Sequence, residues 1–170
     1  KKDVNNKIEE NNTDPIIDEK LIQVYRRYDS SIVSDYKITT ISFNNTFVTN
    51  TQRQIVDRIK YLSKLSKING FNYGGVFLIT GEPGLGKSII PRILAQEING
   101  KLCDDFELTS PGSSIEELIE TINPTEDSPL VLLIDEHDKN ILRIQNEKIE
   151  NHKWYRTIMT NKDTHNRFFD

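Results

Sequence analysis

Two continuous apolar runs stand out in the distribution of hydrophobic residues, at positions 76–80 and 130–134. Each is short and rich in branched side chains, which is typical of a parallel strand buried on both faces. Residues 36–43 alternate between polar and apolar side chains, as a half-exposed strand does. Residues 106–109 alternate in the same way. The pattern predicts a sheet built from these four segments.

Apolar residues at helical spacing predict helices between these strands. Thr51 is placed to cap the first helix, which we expect to cover the sheet with one apolar stripe. The second ends at Asn99 and Gly100 and contains Pro91, which we expect to loosen its first turns. Residues 113–116 form a capping box that opens a third helix. The two stripes are Ile55, Ile59, Leu62 and Leu65 in the first helix, then Ile89, Ile90, Ile93, Leu94 and Ile98 in the second.

The ends of the chain carry weaker signals. Residues 21–25 have the apolar content of a short helix, residues 141–144 predict a partly exposed helix or an ordered insertion, and Thr164 is placed to cap a final helix. The order strand, helix, strand, helix, strand predicts an α/β fold with a parallel sheet. We expect three parts: a flexible tail at 1–15, an N-terminal extension or domain start at 16–48, and the main domain at 49–170.

A glycine-rich loop with the pattern G-x-x-x-x-G-K-[ST] joins the run at 76–80 to the second helix. Its glycines let the backbone curl around a phosphate, so that N–H groups and the helix start point at the anion. Lys87 adds a mobile cation, and Ser88 offers a hydroxyl oxygen that Mg²⁺ can accept beside phosphate oxygens. The loop predicts a nucleoside triphosphate site formed by Gly81, Glu82, Pro83, Gly84, Leu85, Gly86, Lys87, Ser88 and Ile89.

The second apolar run ends in two carboxylates, Asp135 and Glu136, about fifty residues after Lys87. Ligands of open α/β folds collect outside the carboxyl ends of the strands. We therefore expect Asp135 to hold Mg²⁺ through water and Glu136 to polarise the attacking water as general base, with Lys87 as the second catalytic residue. A strand followed by an acidic, solvated turn is the alternative interpretation.

Composition sets outer limits on these expectations. A chain of 170 residues is long enough for about one domain with a real core. The formal net charge of -4 gives no general attraction to nucleic acid or to anionic membranes. The sequence has no apolar stretch of about twenty residues that would span a membrane. The single cysteine, Cys103, suits a reducing compartment, so we expect an intracellular, cytoplasmic protein.

These motifs resemble those of the AAA+ ATPases, and more closely the branch that includes the mitochondrial Rieske-protein translocase and its relatives in large DNA viruses. The resemblance covers the chain from about residue 41 and rests on residues 81–88, 106–118 and 133–138. It implies a P-loop NTPase three-layer sandwich that uses ATP and Mg²⁺. It also implies a homo-oligomeric ring, expected to be a hexamer, which acts on a protein substrate in a viral, mitochondrial or cytoplasmic context.

The same resemblance implies parts that are harder to find in this chain. The family places a polar sensor residue, an arginine finger and a helical lid after the second carboxylate motif. Asn161 is a candidate sensor, but residues 164–170 resemble the segment that precedes the sensor strand, so we expect the chain to stop before the sensor and lid. The late arginines are Arg143, Arg156 and Arg167. We therefore expect residues 1–170 alone to hydrolyse ATP very slowly.

Two other classes of function remain open. Residues 25–28, Tyr-Arg-Arg-Tyr, interleave aromatic and basic side chains as a platform for single-stranded nucleic acid does, which would suit a nucleic-acid motor or loader. A turn of a surface helix is the plainer interpretation of these four residues. The third possibility is a nucleotide-dependent assembly module with little turnover.

Overall fold

The computed structural model describes residues 21–29, 34–42, 48–70, 75–110 and 113–146. These residues form a sheet of four strands: β1 (Leu21–Asp29), β2 (Ser34–Ser42), β3 (Lys101–Cys103) and β4 (Leu130–Leu132). The strand order is β2-β1-β3-β4. β1, β3 and β4 are parallel, and β2 pairs antiparallel with β1, so the predicted parallel sheet carries one antiparallel edge strand.

Four α-helices accompany the sheet in the described residues: α1 (Asn50–Ile68), α2 (Ile90–Glu97), α3 (Ile115–Ile122) and α4 (His137–Gln145). A 3-10 turn, Lys87–Ile89, leads into α2. Pro91 lies in the first turn of α2, where the missing N–H has no helical partner to lose. The helix start is thus tightened into a 3-10 turn, and the rest of α2 is regular.

One face of the sheet packs against α2. Val24, Leu102 and Val131 are register partners on β1, β3 and β4, and they form a cluster with Ala95 of α2. Val24 and Leu102 are fully buried. Because side chains of a strand alternate between faces, the next residue of each strand must lie on the other side of the sheet.

The other face packs against α3. The next register partners, Tyr25, Cys103 and Leu132, cluster with Leu118 and other apolar side chains of the α3 region. Burial raises the pKa of the Cys103 thiol to about 12, so Cys103 is a neutral apolar filler. A helix covers each face, and the predicted α/β three-layer fold is confirmed.

The first strand corrects one sequence prediction. Residues 21–25 are part of β1 and not of a short helix. Ile22 and Val24 are buried on the face toward α2, Tyr25 is buried on the face toward α3, and Leu21 is 58% exposed. The apolar pattern of residues 21–25 is compatible with a helix or with a strand buried on both faces. The segment is a strand because it pairs with β2 and β3.

The first helix begins two residues earlier than the sequence predicts, because Thr49 and not Thr51 is its N-cap. The Thr49 hydroxyl accepts the N–H of Gln52 at 3.2 Å, and the Gln52 side-chain carbonyl accepts the N–H of Thr49 at 2.9 Å. This reciprocal capping box satisfies two donors at the helix start. Val56 and Ile59 are the buried apolar residues of α1, and they pack against α2.

Residues 75–80 have no regular secondary structure, and they pair with no strand within the described part of the chain. Phe77 and Ile79 pack on the cluster formed by α1 and α2, whereas Val76 and Leu78 are 72% and 80% exposed. Burial alternates along the segment as it does along a strand. The predicted strand at 76–80 is nevertheless wrong, because the segment is not part of the four-stranded sheet. A ladder requires a neighbouring strand, which an apolar run cannot supply by itself.

The predicted strand at 106–109 is also wrong. β3 lies earlier, at Lys101–Cys103, and residues 106–109 form a loop and turn after its carboxyl end. Phe106 and Leu108 are both 5% exposed and belong to the cluster beneath α3. The apolar alternation at 106–109 therefore reflects the burial of Phe106 and Leu108 in a loop, and not a strand.

Two neighbouring aspartates, Asp104 and Asp105, follow β3 directly and form hydrogen bonds with residues of β1. The carboxylate of Asp104, whose side chain is 5% exposed, accepts hydrogen bonds from Arg26 at 2.9 Å and from Arg92 at 2.8 Å. The hydrogen bond from Arg26 lowers the pKa of Asp104. The carboxylate of Asp105 accepts the N–H of Arg27 at 3.0 Å, and its partial burial raises its pKa.

We expect Asp104→Asn to destabilise the protein at neutral pH by about 1.5–3 kcal/mol, since it removes charge-assisted hydrogen bonds. A depressed folded-state pKa stabilises the fold above the unfolded-state pKa and loses this effect as the pH falls through the folded-state value. The difference between parent and variant should therefore shrink below about pH 5. Asp105→Asn is the matched control: folding disfavours its charge, so it should cost little at pH 7. Denaturant unfolding at several pH values measures both, and equal costs for the two variants would contradict the assignment.

The remaining predictions fall into two groups. α3 and α4 confirm the helices expected to open at residues 113–116 and to lie around 141–144. The N-cap of α3 is Ser114, whose hydroxyl accepts the N–H of Glu117, one position later than a capping box at 113–116 requires. The tail at 1–15, the helix after Thr164 and the candidate sensor Asn161 lie outside the described residues. Searched over the described ranges, the chain has no helix that is both long and apolar enough to cross a membrane.

Candidate functional site

The glycine-rich loop occupies residues 81–86, between the segment 75–80 and the 3-10 turn. Gly84 and Gly86 have φ values of 81° and 72°, in the left-handed region that side chains oppose. Gly86 is also closely packed, because a Cβ placed there would lie 2.6 Å from the side-chain nitrogen of Gln52. The backbone geometry at these two positions requires glycine.

Lys87 crosses the loop with its side chain. Its ammonium group donates hydrogen bonds to the backbone carbonyls of Gly81 at 2.9 Å and Glu82 at 2.8 Å. An ammonium group has three donors, so these two bonds leave a third for an anion. The cation is thus held inside the curl of the loop, where a phosphate group would meet it.

Ser88 and Asp135 come together although 47 residues separate them. The Ser88 hydroxyl donates to the Asp135 carboxylate at 3.1 Å. The second oxygen of that carboxylate accepts the N–H of Glu136 at 2.9 Å, which orients the group. Hydroxyl and carboxylate oxygens are ligands that Mg²⁺ accepts, so this donor set fits a magnesium ion shared with a phosphate.

Glu136 lies at the start of α4 with φ 48°, an unusual left-handed conformation for a residue other than glycine. Its carboxylate accepts a hydrogen bond from the ammonium group of Lys139 at 2.6 Å, and both side chains are more than 60% exposed. An ion pair this exposed is worth at most about 1 kcal/mol, so it does not lock the carboxylate in place. Glu136 is therefore free to turn toward a ligand beside Asp135.

A family model supplies independent information on the same residues. The model of the ATPase family associated with various cellular activities (AAA) matches residues 77–166, just over half of the chain, including the loop and both carboxylates. The chain belongs to the AAA family. No curated protein and no solved structure matches the chain. The narrower relation to the mitochondrial translocase branch and its viral relatives stays a prediction.

Two buried polar residues of this AAA domain support the carboxylate turn, and sequence reasoning missed both. Asn140 and Thr109 are 5% and 8% exposed, and the Thr109 hydroxyl donates to the Asn140 side-chain carbonyl at 3.1 Å. The Asn140 amide in turn donates to the backbone carbonyl of Asp135 at 3.5 Å. The only signal in the sequence is that Asn140 lies four positions before buried Ile144 and so shares its helix face.

Of the three late arginines, Arg143 alone lies within the described residues. It is on α4, and its guanidinium group donates to the Glu107 carboxylate at 2.8 Å and to the Thr109 hydroxyl at 3.4 Å. These contacts join α4 to the loop after β3. The ion pair with Glu107 is about half exposed, so it holds Arg143 only weakly. Arg143, Arg156 and Arg167 all stay candidates for the finger.

Proposed function

We propose that this chain is the ATP-binding and ATP-hydrolysing core of a AAA+ motor that remodels or translocates a protein substrate. The observation that carries the proposal is the contact between Ser88 and Asp135, together with Lys87 held across the loop. Asp135 is 47 positions from Ser88 in the sequence, and a shared ligand such as Mg²⁺ with a triphosphate uses the cation, the hydroxyl and the carboxylate together.

In the proposed site, residues 81–89 form the phosphate-binding loop, whose available backbone N–H groups donate to the phosphates, and Lys87 supplies the mobile cation. Ser88 would contact Mg²⁺ directly and Asp135 through water. The ion, when bound, neutralises charge on the transferring phosphoryl group. Glu136 accepts a proton from the attacking water as general base. Lys139 releases this carboxylate at little free-energy cost because their ion pair is exposed.

ATP is favoured as the nucleotide through the resemblance to AAA+ ATPases, and the assembly expected with it is a homo-oligomeric ring, a hexamer. In such a ring, the arginine finger that hydrolysis needs would come from a neighbouring copy.

A nucleic-acid motor is the second candidate, but the described residues give it less support. In the cluster at 25–28, Tyr25 is 4% exposed and is unavailable to stack on a base. Arg26 is committed to Asp104. The cluster lies on a strand, so the surface helix turn expected from the sequence is wrong as well. The third candidate, an assembly module with little turnover, has the same site and differs only in rate.

Turnover of Mg²⁺-ATP separates the three candidates. Hydrolysis is measured in the full-length protein, in the assembly state that gives the highest rate, first without a partner, then with an unfolded protein, and then with single-stranded DNA at two salt concentrations. The proposal expects turnover that rises with the unfolded protein and is indifferent to DNA. Stimulation by DNA that falls steeply with salt would identify a nucleic-acid motor. Tight ATP binding without turnover under any of these conditions would identify an assembly module.

A further inference from the structure

Gln52 joins the start of α1 to the glycine-rich loop through a buried side chain. It is 6% exposed, although glutamine is ordinarily a surface residue. Its side-chain carbonyl accepts the N–H of Thr49 at 2.9 Å, and its amide nitrogen donates to the backbone carbonyl of Gly86 at 3.0 Å. The two ends of one amide group thus serve a helix cap and the phosphate-binding loop.

The Gly86 carbonyl has a second donor, the N–H of Ile89 at 3.2 Å. This carbonyl belongs to the peptide group that also contains the N–H of Lys87. A trans peptide is planar, with its N–H pointing away from its C=O. Holding the carbonyl toward Gln52 and Ile89 therefore points the Lys87 N–H in the opposite direction within the peptide plane.

Orientation of this peptide matters because glycine tolerates several backbone conformations. A rotation of the Gly86 peptide would exchange a donor for a carbonyl oxygen at the loop, and a carbonyl oxygen repels phosphate. Gln52 opposes that rotation with a hydrogen bond from a side chain that α1 holds rigidly in place.

We propose that Gln52 is a positioning residue of the phosphate-binding loop, which holds the Gly86 peptide so that the N–H of Lys87 faces the nucleotide. The inference rests on the proposed function, since it assigns a role toward the triphosphate. Gln52 does not touch the nucleotide itself. It couples the loop to the N-terminus of α1, so the helix cap and the binding site share one side chain.

Gln52→Glu separates the two roles of this side chain. Glutamate keeps an acceptor for the Thr49 N–H and is a regular member of a capping box, but it replaces the donor to Gly86 with an oxygen. We expect affinity for Mg²⁺-ATP and Mg²⁺-ADP that is weaker by about tenfold or more in calorimetry, together with a lower melting temperature, because the new carboxylate is buried against the Gly86 carbonyl. Thr49→Ala is the converse variant: it removes the cap hydroxyl and should lower stability while affinity stays.

Three further measurements test whether the effect comes from the added charge and cover the case in which the parent chain binds no nucleotide. Gln54→Glu adds the same charge on the exposed side of α1 and should leave affinity unchanged. Gln52→Met removes the donor without adding charge and should weaken binding in the same direction. NMR order parameters of the Gly86 and Lys87 amides without nucleotide give a readout that needs no binding: in Gln52→Glu we expect values below about 0.6, against about 0.85 for a rigid backbone.

Unchanged order parameters at both amides in Gln52→Glu would overturn the inference. If the parent chain binds Mg²⁺-ATP, an equal affinity of Gln52→Glu for it would overturn the inference as well. A loss of affinity matched by Gln54→Glu would assign the effect to charge and overturn it as well. A parent chain that binds no triphosphate would refute the proposed function, and the order parameters would still decide whether Gln52 positions the loop.

Discussion

Replacing Glu136 with glutamine is expected to leave Mg²⁺-ATP binding intact and to slow hydrolysis by about a hundredfold or more. Glutamine has nearly the shape of glutamate but cannot accept the proton of the attacking water. The carboxylate lies directly after Asp135, which is hydrogen-bonded to Ser88, so it is next to the oxygens expected to hold Mg²⁺. Binding should survive because neither the loop nor the Ser88–Asp135 pair depends on the charge of Glu136.

The measurement is single-turnover hydrolysis together with calorimetric affinity, in the assembly state that gives the highest parent rate. Asp138→Asn is the matched control, since it removes one exposed carboxylate from the first turn of the same helix, α4. It should leave the rate within about twofold, as a surface substitution does. Normal turnover by Glu136→Gln would mean that another residue activates the water.

Replacing Lys87 with alanine is expected to weaken triphosphate binding by about a hundredfold or more. The ammonium group is anchored to the carbonyls of Gly81 and Glu82, so its charge is already positioned inside the loop before a ligand binds. Its removal leaves those carbonyl dipoles facing the phosphates with no cation between them. The effect on ATP should exceed the effect on ADP, because the γ-phosphate adds negative charge.

Calorimetry with Mg²⁺-ATP and Mg²⁺-ADP measures this loss directly. Lys64→Ala removes a positive charge from an exposed position on α1 and controls for the change in net charge. A melting temperature equal to that of the parent would show that the alanine variant is folded. Equal affinity of the Lys87→Ala variant and the parent would refute the assignment of the loop as a phosphate site.

Much of the candidate site was predictable because its geometry is local. Gly84 and Gly86 occupy two backbone positions in the left-handed region, which favours glycine. This steric preference can be recognised from a few neighbouring residues of the sequence. The cap of α3 at Ser114 follows from the same short-range chemistry. A carboxylate pair after an apolar run likewise marks a strand end, and Asp135 does lie beside Ser88.

The parts that sequence reasoning missed depend on partners far along the chain. Gln52 is buried where its amide donates to Gly86, 34 positions away, and Asn140 is buried where it accepts a hydrogen bond from Thr109, 31 positions away. Neither partner lies within a helical turn of the residue it explains. The T-x-x-Q pattern at 49–52 does indicate a capping box. Nothing in that pattern indicates that the amide nitrogen of Gln52 also donates to Gly86 of the glycine-rich loop.

The sequence by itself thus determined the loop, the helix that follows it and the carboxylate pair, since steric limits and side-chain period act over a few residues. The strands predicted at 36–43 and 130–134 are present as β2 and β4, but tertiary structure decided which of the other apolar segments became strands. Residues 21–25 joined the sheet as part of β1, while residues 76–80 and 106–109 did not, although all three carry similar apolar patterns. The physical reason is that a strand is defined by hydrogen bonds to another segment, and the partner's position depends on the packing of the whole core.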